Sequence, residues 1–340
     1  MLSSHTIHSG TIARASMLAG FLLLASHAGA ADDYQYYLTG NPENVERTTQ
    51  GLIVAQGGGD DVDENYIQMG LKGGGGDFVV LRASGEDDYN DYIFELCQCD
   101  SVETLVFNNR EAASDPFVIN TIRNAEAIFI AGGDQSNYVK FWQDTPVQDA
   151  INFVVAKPAP IGGTSAGMAV LGEFVYSAMT ESVTTESGLG DPFNADLTLA
   201  QDFLKMPFMN NIITDQHLQE RNRIGRTIAF MARLENDGWT EQSRAIAADR
   251  ETAVHVDPAT GIAHVFATAD HETPYAYFMR SSGKPEHCAP GEPLTFRNIE
   301  TYRIGPGGSF DIGKWIGEGG ISYTLGAEDG KLVSSRESAY

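Results

Sequence analysis

The sequence predicts an α/β fold, a mainly parallel sheet flanked by helices with an extra β-rich C-terminal segment, and three observations carry that reading. Short apolar runs alternate with helix-like stretches from about residue 50 to residue 235. The connections between them are short, as in βαβ units whose parallel strands are covered on both faces. Glycine clusters fall at the carboxyl ends of the predicted strands, where open parallel sheets bind their ligands.

In chain order, strands are expected over 51–56, 77–83, 103–108, 125–131, 158–162 and 211–215. Helical periodicity fills 61–72, 87–97, 111–124, 136–155, 166–172 and 219–235. Residues 31–50 read as a polar lead-in. From about 245 the pattern turns to short β-rich segments with turns at Asp257-Pro258 and Gly305-Pro306-Gly307-Gly308. No linker separates this part, so residues 31–340 are expected to form a single domain.

The first thirty residues carry a different signal. Arg14 precedes an apolar run over 17–25, and Ala28-Gly29-Ala30 offers small residues for cleavage after Ala30. That order is a secretory leader, and the run is too short to span a bilayer, so a secreted or periplasmic location is expected. The net charge of −24 argues against nucleic acid and anionic membranes as partners; it is as well accounted for by solubility in an exposed compartment as by attraction of a cationic, arginine-rich substrate. An oxidising compartment allows one disulfide among Cys97, Cys99 and Cys288, with the pairing open.

Gly163-Thr164-Ser165-Ala166-Gly167 lies between a predicted strand and an apolar helix, the setting of an exposed nucleophilic serine on a strained elbow. A serine hydroxyl needs a base. Only His217, in Asp215-Gln216-His217, ends a predicted central strand; His255, His264, His271 and His287 fall in the β-rich part. No compact metal-ligand spacing is present, and no metal or cofactor is expected. Carboxylates between serine and histidine, Glu173, Glu181, Glu186, Asp191 and Asp196, are all available to orient the histidine, and spacing alone does not choose among them.

Gly132-Gly133-Asp134-Gln135, Gly162–Gly167 and Asp215-Gln216-His217 followed by Arg221, Arg223, Gly225 and Arg226 resemble the core motifs of cyanophycinases, S51 serine peptidases that share a fold with class I glutamine amidotransferases. The resemblance covers roughly residues 50–256. It implies Ser165 as nucleophile, His217 as general base, and Gly133 and Ala166 as the oxyanion-hole donors. It implies Glu186 as the third triad member, with Glu181 as the alternative. It implies substrate binding by Gln135, Asp215, Gln216, Arg223 and Arg226, through guanidinium forks that clamp carboxylates. The implied activity is degradation of cyanophycin, multi-L-arginyl-poly-L-aspartate, to β-Asp-Arg dipeptides, and the resemblance also implies a homodimer. The alternative is an aspartyl dipeptidase or another S51-type amide hydrolase with a different exported substrate. One segment departs from the family: where a G-I-D-E-type run is common, this chain has Ala247-Ala248-Asp249-Arg250. An esterase sharing only the elbow would show an H-G-G-G-type loop and a histidine near the C-terminus, and neither is evident.

Overall fold

The structure is a computed structural model that describes residues 33–340; the predicted leader and its cleavage point lie outside the described residues. The chain runs β1 (Tyr34–Gly40), β2 (Ile53–Gln56), α1 (Asp63–Lys72), β3 (Asp77–Arg82), α2 (Asn90–Cys97) and β4 (Ser101–Phe107). A 3-10 turn, Glu111–Ser114, leads to α3 (Pro116–Asn124), β5 (Ala127–Ile130), α4 (Gln135–Trp142), α5 (Pro146–Ala156), β6 (Ile161–Thr164) and α6 (Ala166–Ala169). Next come β7 (Phe174–Tyr176), α7 (Thr185–Gly190), β8 (Leu199–Gln201), β9 (Ile212–Asp215) and α8 (Ile224–Asn236). The remainder is β: β10 (Arg244–Ala248), β11 (Thr252–Val256), β12 (Ile262–Ala267), β13 (Ala276–Arg280) and β14 (Phe296–Ile304). It ends with β15 (Ser309–Asp311), β16 (Ile316–Glu318), β17 (Ile321–Glu328) and β18 (Lys331–Ser334).

These elements build two sheets. The first has the order β1-β4-β3-β5-β6-β2-β11-β12-β15-β16, and β4, β3, β5, β6 and β2 are parallel neighbours. The second has the order β18-β17-β14-β13-β10-β9-β7-β8, with β10, β9 and β7 parallel. The parallel strands are continuous apolar runs because both faces are covered; β3, Asp-Phe-Val-Val-Leu-Arg, is buried at every position but the last. The β-rich C-terminal part does not form a separate layer. Strands β11, β12, β15 and β16 extend the first sheet, and β10, β13, β14, β17 and β18 supply most of the second.

Several boundaries differ from the sequence reading for local reasons. The polar lead-in contains β1, whose Tyr36 hydroxyl donates to Glu103 Oε2 at 2.7 Å across the antiparallel pair with β4. The expected helix over 136–155 is two helices, because Asp144 adopts a left-handed φ of 57° and Pro146 cannot continue a preceding turn. Pro146 instead opens α5, as Pro116 opens α3 after its N-cap Asp115. The expected helix over 219–235 begins only at Ile224, since His217 and Asn222 take φ of 52° and 50° and turn the chain first. Cys97 and Cys99 are joined, and Cys288 is a free, half-buried thiol that burial pushes up to about 11.

In the first sheet β6 lies between β5 and β2, so the loops leaving these three strands share one edge. They carry Gly132-Gly133, Ser165 and Gly57-Gly58. The loop leaving β9 of the second sheet joins them: the His217 N–H donates to the Gly57 carbonyl at 2.8 Å. The seam between the two sheets therefore runs through this point.

Candidate active site

Ser165 sits between β6 and α6 with φ 52° and ψ −113°, a strained conformation for a residue with a side chain. Its own N–H donates to the Gln56 carbonyl at 3.0 Å, which stitches the elbow to β2. The flanking glycines are there for space. A Cβ on Gly167 would lie 2.0 Å from the Ile130 carbonyl oxygen, so the backbone after the serine presses directly on β5.

His217 reaches the serine from the other sheet. Its Nε2 is 3.0 Å from Ser165 Oγ. Gly58 lies against the ring: φ there is 92°, and a Cβ would stand 2.2 Å from Nε2. Burial lowers the His217 pKa below the ordinary imidazole value, only partly opposed by the hydrogen bond to Glu220. At neutral pH the ring is thus unprotonated and able to accept the serine proton.

The third member of the line is Glu220. Its Oε2 is 2.7 Å from His217 Nδ1, three residues along a single turn that the Arg221 N–H closes on the His217 carbonyl at 3.1 Å. Burial pushes this carboxyl up, but His217, Arg221 and Arg250 outweigh it and hold the group below the usual glutamate value, hence ionised. The expectation that Glu186 or Glu181 orients the histidine is corrected here. Glu186 Oε1 accepts from Asn222 Nδ2 at 3.3 Å, because α7 is tied by the Thr185 hydroxyl to the Asn222 carbonyl, behind the turn. Glu181 borders the cleft, with its backbone N–H held by Asp196 Oδ1 at 3.3 Å. The missed signal was the His-x-x-Glu spacing, which sets two side chains on one side of one turn.

A cleft of about 270 Å³ opens beside Ser165, bordered by Gly133, Gln135, Gln216, Arg221 and Arg223 among others. Gly132 packs against the serine: a Cβ added there would meet the Ser165 Cβ at 3.5 Å. Ala166 follows Ser165 as the first residue of α6. Gly133 borders the same cleft as Ser165, and Ala166 is the serine's neighbour in the chain. Gln135 is largely buried, and its Nε2 donates to the Tyr176 carbonyl at 3.3 Å.

Two residues expected to contact substrate are paired with each other inside the protein. Arg226 and Asp215 are each 1% exposed and grip one another, with Nε 3.0 Å from Oδ2 and a second contact between Nη2 and Oδ1. Thr227 Oγ1 donates to Asp215 Oδ2 at 2.7 Å and the Gln216 N–H to Oδ1 at 2.9 Å, so the carboxylate is fully engaged inside the protein. The Arg226 guanidinium lies over the rings of Tyr176 and Phe230, at 5.1 and 5.7 Å. Only its Nη1 turns toward the cleft, to Ser182 Oγ at 3.2 Å. The pair ties the end of β9 to α8, and Arg226 also borders the cleft.

Arg223 and Gln216 do face the cleft. Arg223 Nη1 donates to both the carbonyl and the side-chain oxygen of Gln216, and burial beside Arg226 lowers its pKa to about 10. It remains charged at neutral pH and borders the cleft.

An elbow serine, a neutral histidine and an ionised glutamate in line make up the parts of an acyl-transfer site. Residues 88–260 match Peptidase family S51, and the chain belongs to that family of serine-type peptidases. Among curated relatives, a cyanophycinase from Trichormus variabilis is 26% identical over 237 residues, 65% of this chain and 68% of that protein. A cyanophycinase from Synechococcus elongatus is 29% identical over 198 residues, 54% of this chain and 57% of that protein. Among solved structures, a peptidase from an acI-B1 Actinobacterium covers 78% of this chain and 98% of its own, at 16% identity and a TM-score of 0.51. At that identity the likeness concerns the fold.

Proposed function

We propose that this peptidase hydrolyses the aspartyl backbone of cyanophycin and releases β-Asp-Arg dipeptides. The observation that carries the reading is the line Ser165 Oγ, His217 Nε2, His217 Nδ1 and Glu220 Oε2, with gaps of 3.0 and 2.7 Å, beside a cleft holding Arg223. Ser165 Oγ attacks the scissile carbonyl while His217 Nε2 takes its proton. The Gly133 and Ala166 N–H groups stabilise the oxyanion, and His217 returns the proton to the leaving amine. Water then repeats the sequence on the acyl-enzyme, with the same histidine as base. Glu220 holds the ring in the tautomer whose Nε2 is free and offsets the charge of the imidazolium.

Arg223 supports the choice of substrate. A planar fork steadied by Gln216 suits a carboxylate, and cyanophycin terminates its aspartyl backbone in one. The curated relatives carry the same name for the same class of polymer degradation, and the acidic chain is complementary to the polymer's guanidinium side chains. The leader expected over 1–30 would deliver the enzyme outside the cytoplasm.

The deciding experiment incubates the purified chain with insoluble cyanophycin and identifies products by mass. Release of β-Asp-Arg is expected, and a Ser165→Ala preparation should release none. Cleavage of short aspartyl peptides with the polymer untouched would overturn the substrate assignment and leave the chemistry standing.

A further inference from the structure

Asp249 is a buried carboxylate that the acyl-transfer steps do not use. It follows β10 directly, beside the end of β9, and is 2% exposed. Its partners are neutral: the Gln219 N–H donates to Oδ1 at 2.9 Å, and the Tyr277 hydroxyl lies 3.4 Å from Oδ2. The charge of Arg303 is felt at the carboxylate, which is felt in turn at the phenols of Tyr277, Tyr323 and Tyr340. Burying a carboxylate without a paired cation costs several kcal/mol by the usual order of magnitude. Something local has to offset that.

Its surroundings show what the carboxylate touches. Gln219 lies between His217 and Glu220, so the N–H that Asp249 holds is the middle of the turn that aligns base and acid. The preceding carbonyl, of Ala248, accepts the Leu218 N–H at 3.3 Å. The Asp249 carbonyl presses on Gly57, where a Cβ would lie 2.0 Å away, and the Gly57 carbonyl in turn accepts the His217 N–H. Residues 217, 218 and 219 are thus each held through one short segment, 248–249, directly or by way of Gly57.

We infer that Asp249 is a positioning residue for the base: its Oδ1, by holding the Gln219 N–H, fixes the turn so that His217 presents Nε2 to Ser165 and Nδ1 to Glu220. The assignment rests on the reading of His217 as the base. It requires an acceptor oxygen at this place and not a negative charge. Burial pushes the carboxyl up to about 7, and the protonated form keeps an oxygen for Gln219 just as the ionised form does.

The test uses the full chain and a fluorophosphonate that labels an activated serine, so it does not depend on the identity of the natural substrate. Asp249→Asn keeps the acceptor and should label Ser165 within about threefold of the wild-type rate, while Asp249→Ala should label at least about tenfold more slowly. On the polymer the alanine variant should lose kcat with KM nearly unchanged. Asp249→Ser, which keeps a hydroxyl for Tyr277 but draws the acceptor back by one bond, should follow alanine and serves if alanine does not fold. Wild-type labelling in the alanine or serine variant, or labelling of the asparagine variant as slow as theirs, would overturn the inference. Label retained by Ser165→Ala would instead remove the nucleophile itself, and this assignment with it.

Discussion

Ser165 and His217 both adopt a left-handed φ of 52°, on loops of two different sheets, and their Oγ and Nε2 meet at 3.0 Å. Two strained residues facing each other are held by their surroundings and not by their own preferences.

Glu220→Gln keeps the shape of the turn and removes the charge that stabilises the imidazolium. We expect kcat on cyanophycin to fall by roughly 10²-fold or more, whereas Glu186→Gln stays near wild type. The Glu220 hydrogen bond raises the His217 pKa against the effect of burial. Its loss therefore moves the acidic limb of kcat/KM to lower pH. A pH–rate profile checks both the direction and the size.

Gly58→Ala places a methyl group 2.2 Å from His217 Nε2 at a φ of 92°. The ring must move, and a displacement near 1 Å costs on the order of 10²-fold in rate. Fluorophosphonate labelling should fall while circular dichroism shows a folded chain with a lowered Tm.

Lysine in place of two neighbouring arginines should have opposite effects. Arg223→Lys loses a forked contact in the cleft and should reduce kcat/KM by roughly ten- to a hundredfold with little change in Tm. Arg226→Lys keeps the charge but breaks the forked hold on buried Asp215 and should destabilise the fold by about 1.5–3 kcal/mol. Urea unfolding and steady-state kinetics on the same preparations separate the two.

Asp249 gives stability a pH dependence of known sign. Its folded pKa of about 7 lies above the ordinary value of 3.8, so the folded chain binds the extra proton between them. Its contribution is fully present below pH 3.8 and is lost as pH rises through about 7. Against Asp249→Asn, the wild type should lose relative stability across that window and run level above it. Urea midpoints of both proteins at several pH values measure the difference.

The parallel strands were legible because a strand covered on both faces is a continuous apolar run, as in β3. Ser165 was legible from the glycines its elbow needs, and His217 from its place at a strand end. Glu220 was not, because its position follows from left-handed backbone at His217 and Asn222, which no propensity announces for those residues. The pairing of Asp215 with Arg226 was hidden for another reason. The residues are eleven apart and meet only when α8 packs back over β9, so the sequence shows two polar groups near a site and not their mutual burial. Strand β1, Tyr-Gln-Tyr-Tyr-Leu-Thr-Gly, was missed because it lies in a polar segment without a long apolar run.

Ser165 Oγ and His217 Nε2 lie on loops of different sheets, joined at this point by the Gly57 carbonyl. Activity is therefore a gauge of how the sheets are seated against each other, far finer than any optical signal of secondary structure. As denaturant rises, the seam will slip by a fraction of an ångström before either sheet unravels. Turnover should vanish first, leaving a protein that still looks folded and has already stopped working.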